Sequence, residues 1–179
     1  GAYIVIEAGS DGAQQAWLSR VDADGNQVWD ASRPVSAGFD SESGLEYQEH
    51  VNIVKGQDKV YISWSGVDTD YSFWMGEVFM QAFDFSGTAY WGDDGLRITA
   101  SEAIHEELDD LVIDGLGNCY VFWGSGPWND NSVLVQKIDA DGNLEWNAEG
   151  IAFAEGVGLQ EEASAIGRVD GGVVGVWRD

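Results

Sequence analysis

The side chains with chemistry to offer are acidic and aromatic, and both kinds gather between the apolar stretches. The segments DSESGLEYQEH (40–50), SEAIHEELDD (101–110) and EGVGLQEEAS (155–164) carry Glu46, Glu49, Glu106, Glu107, Asp109, Glu161 and Glu162. Carboxylates at this density suit a hard cation such as Ca²⁺, which takes about six to eight oxygens from carboxylates and carbonyls. Without a cation, their mutual repulsion raises their proton affinity. A solvated acidic surface reads the same way. Two further segments, GVDTDYSFWMGE (66–77) and GSGPWNDNS (124–132), hold Tyr71, Phe73, Trp74 and Trp128. Exposed rings of this kind stack on the apolar face of a sugar or on a partner's side chain; alternatively they fold back as lids.

Other chemistries are poorly served. DADGN, at 22–26 and 139–143, places oxygens at alternate positions but fails as a Ca²⁺ loop. Counting from Asp139, Leu144 and Gly150 stand where such a loop needs its glycine and its bidentate glutamate. His50 and His105 occupy unrelated positions, and Cys119 is alone, which excludes an intrachain disulfide and the common cysteine zinc sites. No Ser/His/Asp order or phosphate-binding glycine loop is present. Two carboxylates about 5–10 Å apart can cleave a glycoside, but 32 acids single out no pair.

The elements that must position these residues repeat along the chain. RVDADGNQVW (20–29), AFDFSGTAYW (82–91) and KIDADGNLEW (137–146) align Asp22, Asp84 and Asp139, and also Trp29, Trp91 and Trp146. Asp-Gly is a strong hairpin signal, and each leading aspartate can accept backbone amides two residues on. Ahead of the turns run the apolar strands AYIVIEAG (2–9), VYISWSG (60–66) and CYVFWGSG (119–126), with VVGVWRD (173–179) as a fourth. In these strands Trp64, Trp123 and Trp177 share one position, held by Ile6 in the first copy. Short strands follow at GLRITA (95–100), at GIAFAE (150–155) and around Val35; strands running into turns follow at 50–58, 111–118 and 165–172. Only SEAIHEELDDL (101–111) has the spacing of a helical turn.

A four-stranded unit whose strand position recurs every 54 to 59 residues, at Ile6, Trp64, Trp123 and Trp177, is the size of a β-propeller blade. The expected fold is all-β: a β-propeller segment of about three four-stranded antiparallel blades plus one extra strand. The repeats run over residues 1–58, 59–118 and 119–171, with a further blade starting at 172–179. In such a blade the tight turns share one end and the longer loops the other. The loop end is where binding residues are expected.

The units resemble the propeller-like repeats of secreted and cell-surface bacterial proteins, in which an acidic ID-x-x-GN-x-x-W hairpin follows a strand ending in W-x-D or W-x-G. Val21, Asp22, Gly25, Asn26 and Trp29 carry the likeness, with Ile138, Asp139, Gly142, Asn143 and Trp146, and with Trp177 and Asp179. The resemblance implies a secreted or cell-surface location and a binding or structural role without catalysis. A glycan-cleaving enzyme with an acidic face and a purely architectural self-assembling spacer are the competing expectations. The hairpin is also similar to the Asp-box of sialidases through Asp24 and Trp29, or Asp141 and Trp146. Its glycine sits one place early, however, and the arginines Arg20, Arg33, Arg97, Arg168 and Arg178 do not form the trio that sialidase chemistry uses. Quinoprotein-type repeats are similar too, in shorter blades.

Charge narrows the partners. With 32 acids against 8 bases the chain carries −24, which repels phosphate backbones and anionic lipid. The expected partner is therefore a glycan or a protein, not nucleic acid, and no apolar run approaches the ~20 residues of a membrane span. No signal peptide is visible, and the initial glycine points to a trimmed chain. Three blades would leave sheet edges open, so further blades from a longer chain or self-association are expected.

Overall fold

The computed structural model describes residues 1–10, 13–37, 45–68, 75–99, 105–127 and 129–179. These form thirteen strands and no helix: β1 Ala2–Ser10, β2 Ala13–Val21, β3 Arg33–Pro34, β4 Leu45–Lys55, β5 Lys59–Asp68, β6 Met75–Asp84, β7 Leu96–Arg97, β8 Glu106–Ile113, β9 Cys119–Ser125, β10 Ser132–Ile138, β11 Ile151–Ala154, β12 Glu161–Gly167 and β13 Val173–Arg178. The all-β expectation holds. By antiparallel pairing the strands group as β1–β2–β3, β4–β5–β6–β7, β8–β9–β10–β11 and β12–β13. The first two groups join through a single parallel pair, Gln14 with Tyr47.

The groups pack face to face in series. Along β5, Val60, Ile62 and Trp64 point into a core shared with Ala16 and Leu18 of β2, while Tyr61 points into the next core. Along β9, Cys119, Val121 and Trp123 face Val78 and Met80 of β6, while Tyr120 and Phe122 face Ala163. Strands buried on both faces read as continuous apolar runs rather than strict alternations. This is why VYISW and CYVFW look alike in sequence.

A helical turn was the expectation over 101–111; instead Glu106–Ile113 is a strand, and residues 101–104 lie outside the described part. The helical spacing of Leu108 and Leu111 has a β explanation. The register with β9 shifts between Leu108 and Asp110, so one extra residue is inserted and two leucines three apart both turn inward. The same irregularity recurs between Glu49 and Asn52 on β4 and between Glu161 and Ser164 on β12. There His50 and Glu162 adopt φ of 53° and 55°. Each bulge lies opposite or beside a repeated tryptophan: Trp64, Trp123 or Trp177.

The hairpins behave as their sequence requires. Asp22 accepts the amides of Asp24 and Asn26, Asp84 those of Ser86 and Thr88, and Asp139 those of Asp141 and Asn143, all at 2.8–2.9 Å. Hydrogen bonds from Asn26, Ser86 and Asn143 side chains, with these amides, hold the three carboxyls below the usual range. Asp114 makes a fourth such turn between β8 and β9. Its burial raises the proton affinity, but donors from Asn118, Leu116 and Gly172 outweigh that and bring its pKa to about 2. The Gly172 amide belongs to the next group of strands, so this turn also ties two groups together.

Candidate functional site

Each hairpin tryptophan does more than cover its own hairpin. It packs at a tilt against a tyrosine of its own group: Tyr3 with Trp29 at 6.0 Å, Tyr61 with Trp91 at 6.1 Å and Tyr120 with Trp146 at 6.0 Å between ring centroids. Trp29 and Trp91 then reach the following hairpin. Trp29 Nε1 donates to Phe85 O at 3.3 Å, and a Cβ placed on Gly87 would lie 3.2 Å from Trp29 Cε2. One placed on Gly142 would lie 2.6 Å from Trp91 Nε1. Glycine is thus required at the hairpin because the preceding indole rests on it. Lys59 strengthens the second contact by donating to Ala140 O at 2.7 Å.

Behind the hairpins, two fully buried glutamines brace the strands. Gln81 donates to Gly92 O and accepts the Trp91 amide; Gln136 does the same with Asn147 O and Trp146. Neither the tyrosines nor these glutamines were singled out from the sequence. Tyrosine stands second or third in the first three apolar strands, and a glutamine precedes the second and third hairpins by three residues. Those repeats were the available signal.

Lys59, which opens β5 just after the β4–β5 turn, touches the β10 hairpin, so the two kinds of tight turn share one end of the stack. At the opposite end the long connections meet. Gly158 donates to Asp130 at 3.2 Å, Gln160 to Asn131 O at 3.0 Å and Gly126 to His105 O at 3.4 Å. The acidic residues are at this second end, but they are engaged in separate local contacts. Glu107 lies 3.4 Å from His50 Nε2 and 4.0 Å from His105 Nε2. Burial lowers the His105 pKa against the pull of Glu107 and Glu49. Glu161 and Glu162 both pair with Arg178. Burial lifts the Asp109 carboxyl to about 6 although amides of Ala163 and Glu162 donate to it; next to it, Asp110 accepts the Ala165 amide at 2.7 Å. Glu49 is half-buried on β4. Among the described residues, no group of three or more His, Cys, Asp or Glu side chains is arranged to hold a metal. The side chain of Glu46 lies outside those described, as do Tyr71, Phe73, Trp74 and Trp128.

Glu106 is the chemically unusual group. It is 2% exposed, its Oε2 has no hydrogen-bond partner, and burial holds its pKa up to about 7, opposed by the Thr99 hydroxyl and Arg97 and helped by Glu149 and Glu77. Such a carboxyl can serve as a general acid. The repeat gives it another meaning. Glu106 pairs with Ser125, two places after Trp123; Gln48 pairs with Gly66, two places after Trp64. Gln160 immediately precedes Glu161, the partner of Arg178, which puts it level with Asp179, two places after Trp177. Gln48 accepts the Ala16 amide at 2.7 Å, and Gln160 accepts Trp177 Nε1 at 2.9 Å. Glu106 is thus the glutamate version of a buried glutamine that stands level with the residue two places after each strand tryptophan.

No family model, curated protein or solved structure matches the chain. No helix among the described residues is long and apolar enough to cross a membrane.

Proposed function

We propose that the chain is a β-propeller-type repeat segment serving as a non-catalytic binding or structural module of an exported bacterial protein, at or beyond the cell surface. The observation that carries this reading is the hairpin interlock. Tyr3–Trp29–Gly87 and Tyr61–Trp91–Gly142 repeat one contact between successive strand groups, as a blade array would. The tight-turn end uses its carboxylates on its own amides, so ligand contacts fall to the long-connection end. By sequence Tyr71, Phe73 and Trp74 belong to the β5–β6 connection and Trp128 to the β9–β10 connection, and their rings are the proposed contacts for a glycan or a protein side chain. The acids of the same connections are the proposed acceptors of sugar hydroxyls, with Ca²⁺ as a ligand to be tested beside them. The charge of −24 disfavours nucleic acid as the partner.

The test is retention on glycan and protein arrays, with and without Ca²⁺. The expected result is a saturable ligand whose binding falls at least about tenfold, or ~1.4 kcal/mol, on Trp74→Ala or Trp128→Ala, with no turnover. Hydrolysis of a glycoside that a single carboxylate substitution abolishes would replace this reading with an enzymatic one.

A further inference from the structure

Aspartate followed by glycine carries a chemistry of its own. The glycine amide nitrogen can attack the side-chain carboxyl carbon of the aspartate before it, because no side chain shields that nitrogen. A C–N bond forms, a C–O bond breaks and water leaves, giving a cyclic succinimide. Water then returns at either carbonyl. Attack on the backbone carbonyl leaves the chain running through the side-chain carbon, as isoaspartate; attack on the other restores aspartate. The water lost is regained, and no oxidant or cofactor takes part. The chain has six such pairs, beginning at Asp11, Asp24, Asp94, Asp114, Asp141 and Asp170. Asp11–Gly12 lies outside the described residues.

The reaction needs a carboxyl that is not already held and a glycine that is free to turn toward it. Asp114 fails on the first count. Its carboxylate takes the Leu116, Asn118 and Gly172 amides and the Tyr120 hydroxyl, while the Gly115 amide is committed to Arg168 O at 2.8 Å. Asp170 is held by Arg168 through Nε at 2.9 Å and Nη2 at 2.6 Å. Asp94 and Asp141 fail on the second. A Cβ on Gly95 would lie 2.6 Å from Met80 O and 3.0 Å from Trp64 Cη2. Gly142 lies under Trp91, and Lys59 holds Ala140 O just ahead of it. Asp24–Gly25 meets both conditions. Asp24 is exposed, and its carboxylate has no partner among the described residues. A Cβ on Gly25 would meet nothing within 4 Å. The Gly25 amide reaches Asp22 O at 3.3 Å, against 3.1 Å for Gly142 and Asp139 O.

We infer that Asp24–Gly25 is a spontaneous modification site, converting to isoaspartate through the succinimide, and that the matching Asp141–Gly142 is protected by the indole the preceding group lays on it. The extra backbone carbon lengthens the loop that brings the Asp24 and Asn26 amides to Asp22. Conversion therefore opens the turn of the first hairpin and leaves the third intact. The inference rests on the packing of the hairpin glycines and is independent of what the long connections bind.

The experiment holds the full chain in warm neutral buffer for several weeks, beside a free peptide of residues 13–37. Isoaspartate is mapped site by site by digestion and electron-transfer mass spectrometry. The expected result is conversion at Asp24 at least about tenfold faster than at Asp94, Asp114, Asp141 or Asp170. In Trp91→Leu and Lys59→Met chains the rate at Asp141 rises at least about threefold, and that at Asp24 stays as it was. A rate at Asp114 that stays low shows that a variant is folded. Lys59→Met keeps the apolar stem and removes only the ammonium, so it decides the matter if the leucine variant unfolds. Equal rates at Asp24 and Asp141 in the parent chain overturn the proposal. So does an unconverted Asp24 once the peptide has converted by half, or a rate at Asp141 that neither variant moves.

Discussion

Trp123→Ala is expected to cost roughly 3–5 kcal/mol of folding stability, the usual range for removing a large buried ring, and Gly150→Ala a comparable amount. The two losses have different origins but meet at one contact. Removing the indole empties a fully buried site between Val121, Val78 and Met80. Adding a methyl at Gly150 places a carbon 2.6 Å from Trp123 Cη2 and 2.8 Å from Val135 O, at φ +70°, where L side chains are strained. The coupling is the informative part. In a Trp123→Leu background the indole clash is gone, so Gly150→Ala costs about 1–2 kcal/mol less than in the parent chain. Urea unfolding of the four chains measures this directly. Additive losses would mean that the glycine answers to its backbone angle and to Val135 O, and not to the indole.

Glu106→Gln is expected to stabilise the chain by about 3 kcal/mol well above neutral pH and to change little at pH 4. The folded carboxyl titrates at about 7 against an ordinary 4.5. Its protonated form therefore supports the fold fully below the ordinary value, and that support is lost as the pH rises through about 7. Glutamine keeps the shape and the neutral polarity at every pH, as Gln48 and Gln160 do at the matching places. Asp109, held up to about 6, gives a similar loss at slightly lower pH, so the comparison must be made between the variant and the parent chain. Denaturant midpoints from pH 4 to 9 provide the measurement. Parallel curves for the two chains would show that Glu106 ionises freely.

The strand order and the Asx turns were legible because they depend on neighbours in sequence: Asp-Gly fixes a turn, and a five-residue apolar run fixes a buried strand. What was not legible depends on contacts across groups of strands. The hairpin tryptophans recur in sequence, yet their targets, Gly87 and Gly142, belong to the next repeat. A glycine in a turn already has a local explanation that hides the second one. The β8 bulge gave two leucines a helical spacing, since one inserted residue converts a period of two into a step of three. The acidic residues suggested a cation site by their density in three segments of the chain. In the structure Glu107, Asp109 and Glu161–Glu162 instead meet histidines, amides and Arg178, respectively. Spacing shows which end of a strand a carboxylate occupies, not what it meets there.

The interlock itself is most directly tested by the proton shifts of the hairpin glycines. Gly87 and Gly142 lie against the rings of Trp29 and Trp91, whereas a Cβ on Gly25 would meet nothing within 4 Å. The account predicts ring-current-shifted α-protons at Gly87 and Gly142 but not at Gly25, with the shift at Gly87 lost in Trp29→Leu and that at Gly142 lost in Trp91→Leu. Three glycines with the same shifts, unmoved by either substitution, would contradict it.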